Sequence, residues 1–169
     1  MAGEKEQKSD LTPSEAVDRV WELAKSIDIC MFATWDGEYT RCRPLSARVH
    51  REENAIYFLV NDDGAKNDQL EKYPKTTMAW TDSARYKYVT ISGHAVVSND
   101  RSKIKQLWEK TDTAWWDSAD DPEIRLITVT PDEAELWDSP GRIVATAKML
   151  VAAVTGTTPD MGDNVKVDL

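Results

Sequence analysis

Four of the nine arginines, Arg41, Arg43, Arg48 and Arg51, fall within eleven residues that contain no acidic side chain. A guanidinium fork binds phosphate oxygens bidentately, so a converged pair here would suit a phosphate monoester. In a regular strand Arg41 and Arg43 share one face and Arg48 lies on the other. A bulge near Pro44 would bring Arg48 round, because one extra residue shifts the alternation. The plainer alternative is an edge strand that uses arginine against aggregation. A second lead is Lys66, in the first turn of a helix that follows Leu59-Val60-Asn61-Asp62-Asp63-Gly64. A cation is unfavourable beside a positive helix N-terminus unless an anion is shared between them. The plain reading of Lys66 is an ordinary exposed lysine. The third lead is aromatic: Trp137 stands before the turn Asp138-Ser139-Pro140-Gly141, and Trp115-Trp116 interrupt a polar stretch. Core packing is the common fate of tryptophan, but a planar ligand or a subunit partner would also account for such rings.

Other chemistries find little support. His50 and His94 are the only histidines and no G-x-S-x-G occurs, which speaks against a Ser-His-Asp hydrolase. H-E-x-x-H, C-x-x-C and EF-hand spacings are absent, as are the P-loop and G-x-G-x-x-G, so no metal site is expected. No carboxylate pair stands out as an acid/base dyad, and the catalytic residues stay unassigned. Any chemistry must come from a cofactor.

The whole chain frames these leads. Its 169 residues carry a net charge of −9, which argues against non-specific nucleic-acid binding and against an anionic membrane surface. No apolar run approaches the roughly 20 residues of a membrane span, and the first residues lack the apolar segment of a signal peptide. Cytoplasmic residence is the expectation. Cys30 and Cys42 form no disulfide framework and read as free thiols. Leu, Ile, Val and Phe make up just under one fifth of the chain, near the disorder boundary, but seven Trp and five Tyr restore a core.

Residues 1–11 read as a loose tail. Thr12-Pro13-Ser14-Glu15 is a capping box with Pro in the first turn, and it predicts a helix over 13–26. Strands are expected over 29–35, 38–49, 55–60, 76–80 and 86–98, with a hairpin turn at Asp36-Gly37. Gly93 inside the last of these suggests a bulge or a close backbone approach. Short helices are expected over 65–72 and 101–110, then two strands over 124–130 and 133–137. An apolar helix over 142–154 and a polar, flexible tail over 156–169 complete the reading. Antiparallel hairpins with helices between them point to a small β-barrel with helices packed outside. Residues 12–155 form one domain.

Several strings in order resemble the pyridoxamine 5′-phosphate oxidase superfamily, and more narrowly its general stress protein 26 branch. They are Arg43-Pro44, Ile56-Tyr57-Phe58 leading into Asn61-Asp62 and Lys66, Tyr88-Val89 to Ser92-Gly93, Asp100-Arg101 to Leu107-Trp108, and Asp121-Pro122. The most specific is Glu135-Leu136-Trp137-Asp138-Ser139-Pro140-Gly141. The resemblance spans about residues 13–155. It implies an α+β, mainly β fold: a six-stranded antiparallel split barrel that forms a two-fold homodimer with flavin sites at the interface. The implied cofactor is FMN, with FAD the alternative. Carried over by position, the segment Arg43, Pro44, Leu45, Ser46 to Arg48 runs between two cationic phosphate contacts. Leu59, Val60 and Asn61 border the ring and ribityl chain, Lys66 grips the phosphate, and Trp137 approaches the ring from the partner subunit.

The vitamin B6 oxidases carry an Arg-x-His pair after the matching Trp, whereas here Gly141-Arg142-Ile143-Val144-Ala145 has no histidine. Tyr88 also stands where those enzymes have a glutamine. The first reading is therefore a flavin-binding protein of the general stress type, as a flavin-dependent oxidoreductase whose small-molecule substrate the sequence does not name. The alternatives are a non-catalytic dimeric stress-response binding protein without flavin, and an authentic pyridoxamine 5′-phosphate oxidase.

Overall fold

The computed structural model describes residues 11–62, 64–138, 149, 152, 156 and 163–169. Helix α1 covers Pro13–Ile27 and starts as its sequence dictates. The Thr12 hydroxyl accepts the Glu15 N–H, the Glu15 carboxylate accepts the Thr12 N–H, and Pro13 fills the first turn. Such a cap is worth about 1 kcal/mol. The apolar stripe Ala16, Val20, Trp21, Leu23 and Ala24 is buried against the sheet.

The strands are β1 (Ile29–Trp35), β2 (Thr40–Ser46), β3 (Arg48–His50), β4 (Ala55–Asn61), β5 (Lys75–Asp82), β6 (Lys87–Ser98), β7 (Ile124–Asp138) and β8 (Asp163–Asp168). Helices α2 (Ala65–Lys72) and α3 (Arg101–Leu107) lie between them. All pairings are antiparallel, in the order β2-β1-β5-β6-β7-β4-β3, with β8 added on β7. The two edge strands of that order, β2 and β3, are separated in sequence by Ala47 alone. One residue spans at most ~3.6 Å, so the sheet must curl until its edges meet. Counting β2 and β3 as one bent strand and setting β8 aside leaves the six strands of a split barrel.

The core fills the inside of the curl. Phe32 and Phe58 meet edge to face at 4.9 Å, among Met78, Trp80, Val89, Ile91, Val129 and Leu136, all fully buried. Strand β4 is buried on both faces. Ile56, Phe58 and Val60 point into this core, while Ala55, Tyr57 and Leu59 join a second cluster with Ile104 and Leu107 of α3.

Four expectations are corrected. No bulge occurs near Pro44, which pairs regularly with Met31; the chain breaks at Ala47, whose N–H donates to the Asp28 carbonyl at 3.2 Å. The two final strands are one, β7, kinked where Gly93 faces Pro131 and Ser92 faces Glu133. That bulge lies at the glycine expected to mark it, and a Cβ on Gly93 would stand 2.2 Å from the Thr130 carbonyl oxygen. Helix α3 ends at Leu107, three residues early, and a 3₁₀ turn over Lys110–Ala114 follows. Residues 163–168, expected in a flexible tail, pair with β7 as β8 because Val165 and Val167 have apolar neighbours to cover. Residues 1–10 and most of the helix expected over 142–154 lie outside the described residues.

Candidate functional site

A cavity of about 640 Å³ opens where four segments converge. They are the end of β2 (Arg43, Pro44, Leu45, Ser46) with Arg48, the end of β4 (Leu59, Val60, Asn61), the start of α2 (Gly64, Ala65, Lys66), and the loop carrying Asp112, Trp115 and Trp116. The volume lies within the ~300–1,000 Å³ typical of small-molecule sites. Local sequence sets the second and third walls. Gly64 adopts φ +155°, a conformation side chains rarely take, and this lets the chain leave β4 and enter α2 at once.

The cations divide into engaged and available. Arg41 is exposed and bound to Asp36 at 2.6 Å, and Arg51 is paired with Asp18. Arg48 is buried; it donates to the Leu107 carbonyl at 3.0 Å and forms an ion pair with the equally buried Asp112. Arg43 and Arg48 both border the cavity, and Arg48 already has Asp112 as its counter-charge. Arg43 differs. Among the described residues no carboxylate pairs with it, and half-burial lowers its guanidinium pKa from the ordinary value. It donates to Thr34 Oγ1 at 3.1 Å, and Thr34 in turn donates to Gln69 Oε1 at 2.6 Å, which ties β2 to α2. A partly desolvated cation held in place this way favours an anion beside it. Lys66 Nζ donates to the Asn61 carbonyl at 3.1 Å, within the first turn of α2.

The apolar walls are Leu45, Leu59, Val60 and the Trp115–Trp116 pair. Trp116 is fixed by its indole N–H on Asn61 Oδ1 at 2.6 Å and by the Trp108 ring at 6.3 Å. Trp137 does not line this cavity. It sits near the end of β7 between Tyr88 on β6 and Asn164 on β8, half-buried. Its neighbour Asp138 is clamped by Arg19 at 2.5 Å and by Lys87. Burial alone would raise the Asp138 carboxyl, but these two cations hold it below its ordinary value. Elsewhere, His50, Glu52 and Glu53 come within metal-binding range of one another, yet Glu53 is committed to Lys103 at 2.6 Å and to the Tyr57 hydroxyl.

A family model described as pyridoxamine 5′-phosphate oxidase like matches residues 15–160. The chain belongs to that family. Among solved structures it resembles a protein named general stress protein 26 from Jannaschia sp. CCS1, at 22% identity and TM-score 0.75, covering 94% of this chain and 100% of that one. A general stress family protein from Xanthomonas campestris pv. campestris aligns at 24% identity and TM-score 0.69, over 78% and 92%. A protein named general stress FMN/FAD binding protein from Xanthomonas citri aligns at 23% and TM-score 0.64, over 72% and 87%. A search of curated proteins finds no match. At these identities the structural likenesses establish the fold: the split barrel expected from the sequence.

Within the pyridoxamine 5′-phosphate oxidase like fold, the donor set suits a phosphorylated, planar group. Arg43, Lys66 and the start of α2 offer positive charge to a phosphate, and Leu45, Leu59, Val60 and Trp116 offer apolar surface to rings. Thr34, Gln69 and Asp112 escaped the sequence reading. They are polar residues whose role is to orient a neighbouring side chain, and no spacing along the chain reveals such a contact. The sequence singles out Trp115 and Trp116 without assigning them a partner; both border the cavity.

Proposed function

We propose that the protein binds a flavin carrying a terminal phosphate, FMN first, in the cavity between β2, β4 and α2. The single observation that carries this reading is that one cavity gathers Arg43 and Ser46 of β2, Leu59 and Asn61 of β4 and Lys66 of α2 around a guanidinium with no carboxylate partner among the described residues. In this reading Arg43 and Lys66 neutralise the phosphate, with Arg43 pre-oriented by Thr34. Arg48 supports the wall through Asp112 instead of meeting the phosphate itself. Leu59 and Val60 exclude water from the ring and ribityl chain. The flavin, when bound, supplies electron transfer between small-molecule partners, and the chain supplies binding and orientation. The relative from Xanthomonas citri named as FMN/FAD binding supports the flavin assignment.

The assembly is a homodimer in which Trp137 reaches the ring bound in the partner. That role is consistent with a half-buried indole set apart from its own protomer's cavity. The outward side of β1 supplies a surface for such pairing, with Ile29, Met31 and Trp35 all exposed.

The test is titration of purified protein with FMN and riboflavin, following flavin fluorescence, for wild type, Arg43→Ala and Lys66→Ala. A charge-assisted hydrogen bond to phosphate is worth ~1.5–3 kcal/mol, so each variant is expected to weaken FMN by about 10- to 150-fold. Riboflavin, which lacks the phosphate, is expected to change less than about twofold. Protein that neither carries nor takes up FMN, or variants that weaken both ligands equally, would overturn the proposal.

A further inference from the structure

Trp115 is unexplained by a flavin mononucleotide. The residue is 79% exposed although it borders the cavity, and among the described residues no aromatic ring or cation lies against it. Its backbone is nevertheless fixed from several sides. The N–H groups of Trp115 and Trp116 both donate to the Asp112 carbonyl, at 2.9 and 3.1 Å. The Asp112 carboxylate accepts the Glu109 N–H at 2.8 Å and pairs with buried Arg48. The Trp116 indole is tied to Asn61. An aromatic ring on a pre-ordered backbone is a stacking platform, because little conformational freedom remains to be lost when a planar ligand arrives.

Its position says which part of a ligand it would meet. Asn61 accepts Lys66 through its carbonyl oxygen and Trp116 through Oδ1, so Trp116 lies beside the cationic end of the cavity, and Trp115 follows from the adjoining position on the same wall. A mononucleotide ends at its phosphate and has nothing beyond that point. A dinucleotide continues through a second phosphate to a purine, which must leave along the wall next to Lys66.

We propose that Trp115 is the stacking surface for the adenine of a dinucleotide flavin, so that the site accepts FAD alongside FMN. This inference rests on the flavin reading above, and it makes Trp115 a specificity-determining residue with Asp112 as its positioning residue. Stacking of a base on an aromatic side chain is lost on truncation to alanine.

Wild type, Trp115→Ala and Trp115→Phe are titrated with FMN and FAD by calorimetry, and their oligomeric state is measured by sedimentation. The expected result is an FAD affinity about tenfold or more lower in Trp115→Ala, FMN affinity within twofold of wild type, and FAD binding largely restored in Trp115→Phe. The unchanged FMN affinity also reports that the variant is folded. A ratio of FAD to FMN affinity that is the same in wild type and Trp115→Ala overturns the inference and leaves the flavin reading standing. So does a variant that loses both ligands together with its dimer, since Trp115 would then be a subunit contact. Wild-type protein that binds neither flavin overturns both.

Discussion

Asp112→Ala isolates the feature that the sequence conceals most completely. Asp112 lies on the 3₁₀ turn after α3, and Arg48 opens β3, 64 residues earlier. Their side chains are only 9% and 8% exposed, so neither charge is solvated by bulk water. Removing the carboxylate leaves the guanidinium with the Leu107 carbonyl as its remaining recorded acceptor. Breaking a buried pair from one side costs ~3–5 kcal/mol, against less than ~1 kcal/mol for an exposed pair. For a domain of this length that is a fall in Tm of about 6–20 °C. Urea denaturation followed by tryptophan fluorescence measures it directly. The double variant Arg48→Met/Asp112→Leu should recover most of the loss, because apolar groups of similar volume replace the pair without leaving a charge behind. A loss below about 1 kcal/mol in Asp112→Ala would refute the reasoning, since Arg48 would then have to be reaching solvent or another acceptor.

Two further outcomes follow from local geometry. Gly93→Ala should destabilise the fold by about 3 kcal/mol, the upper end for overpacking, because its Cβ would meet Thr130 and Pro131 backbone atoms that cannot yield without parting β6 from β7; unfolding curves unchanged from wild type would show that the bulge relaxes freely. The Asp36 carboxylate accepts the Glu38 and Tyr39 N–H groups and the Arg41 guanidinium, and its pKa falls to about 2. A carboxyl depressed in the folded state stabilises above its unfolded pKa, near 4, and loses that contribution as pH falls through about 2. NMR titration should therefore find Asp36 ionised at pH 3 with the Glu38 and Tyr39 amides still protected from exchange, and a midpoint near 4 would contradict the turn geometry.

Elements governed by neighbours in sequence were legible. The Thr12 capping box, the Asp36-Gly37 turn and the Asn61-to-Gly64 break each act over three or four residues, and each lies where its pattern predicts. Helix α2 matches residue for residue, since a glycine opens it and Pro74 follows its end. The strand boundaries failed where long-range pairing overrides local preference. Pro131 and Asp132 look like a turn, but with β6 alongside they become a bulge in a 15-residue strand. β8 has a polar composition that argues for a tail, and pairing with β7 gives it order.

The sequence by itself pointed to a small antiparallel barrel, and its resemblance to the pyridoxamine 5′-phosphate oxidase superfamily singled out Arg43, Lys66 and the end of β4 as candidates for a phosphorylated ligand. The barrel follows from residue types, short spacings and their order, and the candidate site from the resemblance those strings carry. The tertiary structure alone decided how the charges are used. Sequence treats Arg43 and Arg48 as equivalents five residues apart. The break at Ala47 and the fold of the α3–β7 loop bring Asp112 to one and leave the other with a hydroxyl. Because Coulomb and desolvation energies depend on distance and burial, which of two arginines can hold an anion is a property of the folded chain.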